Sequence, residues 1–225
     1  MSTRRRPPRE RASDRAYRTI KQAIMEGKLP CGTRLSKRGM AEFCGVSVIP
    51  VVEALNRLES EGLVESHPYY GSRVIVPNEE QLADMYILRE AVEAQAVRIL
   101  CYTIGIDEIE ALRKTAAYVD SLAGKAHEDT DFDEAHYSFH FELVKLTGST
   151  LLLESLERIH LFTLLVKSEE KYQEVPLIKE YSHLDVVNAI ARRDPDEAAR
   201  TMRRHIYRSY LVSPPLWAEL DPPER

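Results

Sequence analysis

Apolar residues recur at helical spacing twice within the first sixty positions. Tyr17, Ile20, Ala23 and Ile24 mark one face of a helix predicted over 13–26, with Gly27 as its stop. Val51, Ala54, Leu55 and Leu58 mark another over about 48–61, closed by Gly62 just past the cap. Between them, Ser36 caps a short helix ending near Cys44. Gly45 stands where the backbone needs a permissive residue, Ser47 is an N-cap, and Pro50 falls in a first turn, where its missing N–H costs no helical bond. This is the pattern of a helix-turn-helix. Two short strands, near 63–66 and 72–76, flank the turn His67-Pro68-Tyr69-Tyr70-Gly71 and predict a β-wing. Pro77-Asn78 marks a boundary.

Beyond it the period stays helical and Gly and Pro are sparse. Helices are predicted near 79–102, 107–123, 129–147, 150–166, 169–193 and 195–211, with breaks at Gly105, Gly124, Gly148 and Asp194-Pro195. The expected fold is mainly α: an N-terminal winged helix-turn-helix with a small β-wing over 13–77, then an all-α bundle of six helices over 78–212. A basic tail, 1–12, is expected to be disordered when free, and 213–225 to be irregular.

Charge divides along the same boundary. Residues 1–77 carry 14 Lys and Arg against 8 Asp and Glu, a net of +6; residues 78–225 carry 17 against 28, a net of −11. A basic first third on an acidic remainder suggests that only the first part meets a polyanion. Cys31, Cys44 and Cys101 are scattered and form no CxxC pair, which argues for a reducing compartment. No run of 18 apolar residues occurs, and no apolar segment follows the Arg-rich start, so the expected location is cytoplasmic.

The wording of the first third resembles the DNA-binding domain of the GntR family of bacterial transcriptional regulators. The similarity runs from Ala16-Tyr17 and Ile20 through Gly27-Lys28-Leu29-Pro30 and Gly32-Thr33-Arg34-Leu35-Ser36. It continues with Met40-Ala41-Glu42, Gly45-Val46-Ser47, Pro50-Val51, Glu53-Ala54-Leu55, Arg57-Leu58 and Glu61-Gly62-Leu63-Val64. The resemblance implies that the helix beginning near Ser47 lies in the major groove. The remainder resembles the all-helical effector domain of the FadR-type branch, through Arg89, Glu93, His136, Phe139, His140, Gly148, Glu180, His183, Ala189-Ile190, Asp194, Ala198 and His205.

His136 and His140, four apart, place both imidazoles on one helix face, a two-point metal platform; His183 and His205 lie on later helices that can close on it. Imidazoles favour zinc, nickel, copper or iron over magnesium or calcium. Helical histidines are also often surface or hydrogen-bonded core residues. The four positions resemble the family's metal ligands, which makes a divalent transition metal the expected cofactor, zinc first, with nickel or another ion as the alternative. Where the family has Asp, this chain has His136, one negative charge fewer, and Asp133 one turn earlier is a candidate to ligate or to support a ligand from behind. Four closed imidazoles suit structural zinc, whereas an octahedral ion keeps positions open for an effector. The resemblance also implies that Arg89 lines a pocket and clamps a small carboxylate effector; its alternative is a salt bridge to Glu93. His67 is assigned to the wing, His127 to a loop, and His160 to a helix without an evident partner.

The recognition helix departs from its relatives. They commonly carry Arg after the Ser47 position and again four residues on; this chain has Val48 and Val52, and Tyr70 precedes Gly71 where Arg is frequent. Arginine-to-guanine contacts contribute roughly 1–3 kcal/mol of discrimination, while valine offers only apolar contact, for instance to a thymine methyl. Lys37, Arg38, Ser47, Asn56, Arg57 and Arg73 remain as DNA-contact candidates, with Arg57 alternatively pairing with Glu53 or Glu61. The expected protein is a homodimeric, ligand-responsive regulator, its partners double-stranded operator DNA and a small carboxylate. A metal sensor and a paralogue with weakened DNA binding are the alternatives; repression and activation both stay open. A metallohydrolase is disfavoured: a zincin helix needs Glu directly after its first His, and Tyr137 stands there.

Overall fold

A computed structural model describes residues 10–69, 71–122, 130–167 and 182–207. Most of the basic tail with its Arg4–Arg6 run, Tyr70, Gly124, His127, Glu180, the first part of the helix expected at 169 and the segment 213–225 lie outside the described residues. The chain forms two compact units, Met1–Pro77 with Leu161–Glu170, and Asn78–His160 with Lys171–Arg225.

In the first unit, α1 (Ala12–Met25), α2 (Lys37–Cys44) and α3 (Val48–Ser60) pack their apolar faces into one core, with Ile20, Val51 and Leu58 fully enclosed. Leu165, from the segment beginning at Leu161, belongs to the same core. Gly45, at φ 63° and ψ 40°, ends α2 in the left-handed region, and α3 leaves at 104° to α2. That angle lies within the range of helix-turn-helix pairs. Tyr17 ties α1 to the end of α3: its hydroxyl is shared between both Glu61 oxygens, at 2.6 and 2.8 Å, while Lys21 reaches the same carboxylate at 3.0 Å.

Ser36 caps α2 as expected, accepting from the Gly39 N–H at 3.0 Å. Ser47 is the N-cap residue of α3 but makes no side-chain capping bond, contrary to expectation. Pro50 occupies the third helical position and so removes one of the two N–H groups an N-cap hydroxyl can accept from, leaving only that of Ile49. The wing, β2 (Val64–His67) and β3 (Gly71–Val74), forms as expected, with His67 ending β2. A third strand, β1 (Arg34–Leu35), was not anticipated, because two residues are too short to show alternation. It pairs antiparallel with β3, Arg34 opposite Arg73, giving the order β1-β3-β2.

The second unit contains α4 (Glu79–Thr103), α5 (Ile106–Leu122), α6 (Thr130–Lys145), α8 (His183–Ala191) and α9 (Pro195–Tyr207), together with the first part of α7 (Thr150–Lys167). Asn78 and Gln81 form a reciprocal capping box that starts α4. Of the helix expected over 169–193, the described part is a helix that starts afresh at His183. Ser182, in extended conformation, and Asp185 form a second capping box that starts α8 at His183. The helix ends at Ala191, and Arg193 adopts φ 60°. The Arg193 guanidinium donates to the carbonyls of Leu100, Cys101 and Ile104, satisfying the C-terminal end of α4. Leu100, Leu112, Phe139, Leu143, Ile190 and Met202 fill the core around a buried polar centre. No single described helix is long and apolar enough to cross a membrane.

Candidate functional site

Residues four apart share a helix face, so α6 presents His136 and His140 together, their ring centroids 4.6 Å apart. The first residue of α8, His183, and His205 in the last turn of α9 close on them. His183 Nε2 lies 2.9 Å from His136 Nδ1, and His205 Nε2 lies 3.3 Å from His140 Nε2. The four residues expected from the sequence thus converge, with His140, His183 and His205 buried.

Two carboxylates hold the outer faces of these rings. Asp120 on α5 accepts from His183 Nδ1 at 2.7 Å and from the backbone N–H groups of His183 and Leu184 at 3.1 and 3.0 Å. One side chain thereby satisfies the start of α8 and orients its first imidazole. Glu93 on α4 accepts from His140 Nδ1 and from Arg89 Nε, the latter at 2.6 Å. With Nδ1 donating, the Nε2 lone pairs of His183 and His140 face the cluster. Arg89 Nη2 stands 3.4 Å from His140 Nε2. The alternative reading of Arg89, a salt bridge to Glu93, is the one present, and it lies at the rim of the imidazole cluster.

Burial pushes His140 down to about 4, against the pull of Glu93. Burial and the neighbouring imidazoles hold His136 well below its ordinary value. Burial opposes ionisation of Glu93 too, but His140 and Arg89 outweigh it and keep the carboxyl far below the usual range. Ring nitrogens gathered together, with the Nε2 atoms of His140 and His183 turned inward and carboxylates outside, make a donor set suited to a transition metal. His136, His140 and His183 offer ligand atoms all within 4.8 Å of one another, whereas His205, expected as the fourth ligand, stands beside His140 but outside that set.

Asp120 was missed by sequence reasoning. Its partners lie more than sixty positions away, and no local spacing announces it. His160, expected without a partner, instead packs on Tyr137, with centroids 3.8 Å apart, and on Phe141 at 5.3 Å.

The first unit offers a different surface. Opposite the buried stripe of α3 lie Val48, Ile49, Val52 and Asn56, with Ser47 exposed at the helix start. Lys37 and Arg38 are exposed on the first turn of α2. Arg57 stacks on the Tyr17 ring, 3.7 Å from its centroid, and pairs with Asp14 and Glu61 at 3.6 Å, which gives it a structural role. Arg73 pairs with Glu65 across the wing. It also lines a surface cavity of about 330 Å³ with Gly32, Arg34, His67 and Gly71, which sets Arg34 beside Arg73 on the wing sheet.

Residues 12–74 match the family of bacterial regulatory proteins of the gntR family, and residues 84–208 match the FCD domain. The chain belongs to the GntR family. The Nta operon transcriptional regulator of Aminobacter aminovorans is 31% identical over 184 residues, covering 80% of this chain and 83% of that protein. The HTH-type transcriptional repressor RspR of Escherichia coli (strain K12) is 24% identical over 200 residues, covering 88% and 87%. Among solved structures, E. coli McbR/YncC superposes with a TM-score of 0.62 at 18% identity, covering 88% of this chain and 94% of that one, a likeness of fold. This GntR-family chain thus pairs a DNA-binding helix-turn-helix with an FCD effector-binding domain, and its relatives are transcriptional regulators rather than enzymes.

The histidine centre predicts acid sensitivity of the metal-free protein. Unfolded imidazole titrates near 6.5, whereas folded His140 stays neutral down to about 4 and His136 also stays neutral well below 6.5. Between those values the unfolded chain binds more protons, so stability falls as pH falls through that window. The melting temperature in excess chelator should drop from pH 7 to pH 5, and drop less in a His140→Gln variant. An unchanged melting temperature across that range would show that the rings are not held neutral by burial.

Proposed function

We propose that this regulator binds operator DNA as a homodimer and responds to a small carboxylate bound at a histidine-held transition metal. The observation that carries the reading is the convergence of His136, His140, His183 and His205 while Asp120 and Glu93 hold ring nitrogens on the outside. In this reading the four imidazoles hold the ion, Asp120 and Glu93 orient them, and Arg89 contributes positive charge for the effector carboxylate beside His140. A bound divalent ion supplies Lewis acidity toward a carboxylate oxygen. The four-imidazole count favours a second reading, in which a tetrahedral ion is fully ligated and is itself the signal. Zinc and nickel both suit the donors.

Elemental analysis of the purified protein should find a transition metal, and chelator should lower the melting temperature. Metal at 100 times its dissociation constant adds about 2.7 kcal/mol of stability. His140→Ala should abolish the chelator response. Small carboxylates that raise the melting temperature only with metal present support the effector reading; a metal response with no carboxylate response supports the sensor. Protein without metal, and indifferent to added zinc or nickel, would sink both.

A helix-turn-helix gains affinity and specificity from two half-sites, which motivates the dimer. Light scattering should give twice the chain mass of 25.8 kDa at tens of micromolar. A monomer, with and without DNA, would reject that assembly.

The DNA contacts proposed are Lys37, Arg38, Arg34 and Arg73 to phosphate, and Ser47, Val48, Val52 and Asn56 at the groove, with the wing around Gly71 adjoining. Lys37→Ala and Arg38→Ala should weaken binding about equally across sequences and flatten the salt dependence by about 0.9 in slope for each phosphate no longer neutralised. An unchanged slope in both variants would place the backbone contacts elsewhere.

A further inference from the structure

The outward face of α3 is apolar where a DNA-reading helix needs hydrogen-bond donors. Ile49 is 75% exposed and Val48 39% exposed, while Val52 is half-buried one turn further on. Three branched aliphatic side chains on the solvent side of one helix face give nothing to this unit's own core, which α3 meets through Val51, Ala54, Leu55 and Leu58. Asn56 stands exposed two turns beyond Ile49, on the same side of the helix. Glu53 is exposed one turn beyond Ile49, on the same side of the helix, and would repel a phosphate, so this part of the helix suits base edges rather than backbone. Exposed cations belong to the same unit, Lys37 and Arg38 on the first turn of α2 and Arg34 and Arg73 on the paired strands β1 and β3. A basic unit with an exposed, largely apolar helix start suits a nucleic-acid groove as the occupant of that face.

In the major groove only thymine presents a methyl group, and adenine N6 and N7 match the amide of asparagine bidentately. Resting on the operator-binding reading above, we infer that α3 reads A·T pairs, with Ile49, Val48 and Val52 packing on thymine methyls and Asn56 on adenine. The missing long donors are then replaced by a second kind of base contact, not by an absence of readout. Ser47 adds to this. It makes no side-chain capping bond, one of its two candidate amides being removed by Pro50, and keeps a hydroxyl at the helix start for a base edge or a phosphate.

The full-length protein tests the inference in three steps. Selection from a randomised duplex pool should return a site in which the positions facing α3 are A·T pairs. Replacing thymine by uracil at those positions removes only the C5 methyl, and should weaken binding about fourfold per contacted methyl. In Ile49→Ala, whose altered side chain is exposed and should leave the melting temperature unchanged, the uracil penalty should shrink at the positions it contacts. Non-specific binding at low salt should persist. A guanine-reading consensus, or a uracil effect below twofold, would overturn methyl reading while leaving operator binding intact. So would a uracil penalty identical in the native protein and Ile49→Ala. Failure to bind any duplex even at low salt would reject operator binding itself, and this inference with it.

Discussion

A carboxylate without access to solvent sits at the centre of the helical unit. Glu93 is fully buried, and an ionised carboxyl there is tolerated only because Arg89 and His140 bind both of its oxygens. Removing either partner leaves a charge stranded in the core, which typically costs about 3–5 kcal/mol. That requirement fixes α4 against α6. Asp120 imposes a similar one between α5 and α8, because the same carboxylate orients His183 and satisfies the orphan amides of the helix that carries it. The imidazoles are therefore not placed by apolar packing alone. They are placed by two acidic side chains that must be satisfied wherever the helices go.

The helix-turn-helix is governed by backbone geometry. Gly45 turns the chain through a region that disfavours side chains, α3 departs at 104°, and the apolar stripe of α3 leaves its other face to solvent. Pro50 shows how one residue serves two ends. It costs the helix no internal bond in the first turn, yet it removes one of the two amides that Ser47 could have capped. Arg57 shows the reverse: a cation at a recognition helix that is consumed by Tyr17, Asp14 and Glu61 within the same unit.

What was legible in the sequence follows from the range of the forces involved. Periodicity is local, so α1, α2, α3, the wing and most helices of the bundle could be read from spacing alone. The i,i+4 histidine pair on α6 could be read the same way. His183 and His205 were reached through resemblance, since nothing in their own neighbourhoods marks them as partners. Asp120 and β1 were not reached at all: one acts across sixty residues, and the other is two residues of strand defined only by its neighbour. The helix predicted as continuous over 169–193 is interrupted at Ser182, because the capping box with Asp185 that starts α8 is a polar signal laid over the apolar period.

His136 also changes the electrostatics of the proposed ion. A divalent ion held by four neutral imidazoles keeps its full charge within the ligand shell, and Glu93 and Asp120 offset it from outside. Arg89 returns one positive charge beside His140. Counting the ion, Glu93, Asp120 and Arg89 alone, such a centre would keep one positive charge in excess. A carboxylate in place of His136 would cancel that excess. The substitution weakens the site's attraction for hard cations, which prefer oxygen donors, and strengthens it for an anionic ligand arriving at the ion. An imidazole at this position and a carboxylate effector are therefore consistent with one another. The negative charge absent from the protein's ligand set is the charge that the effector would bring.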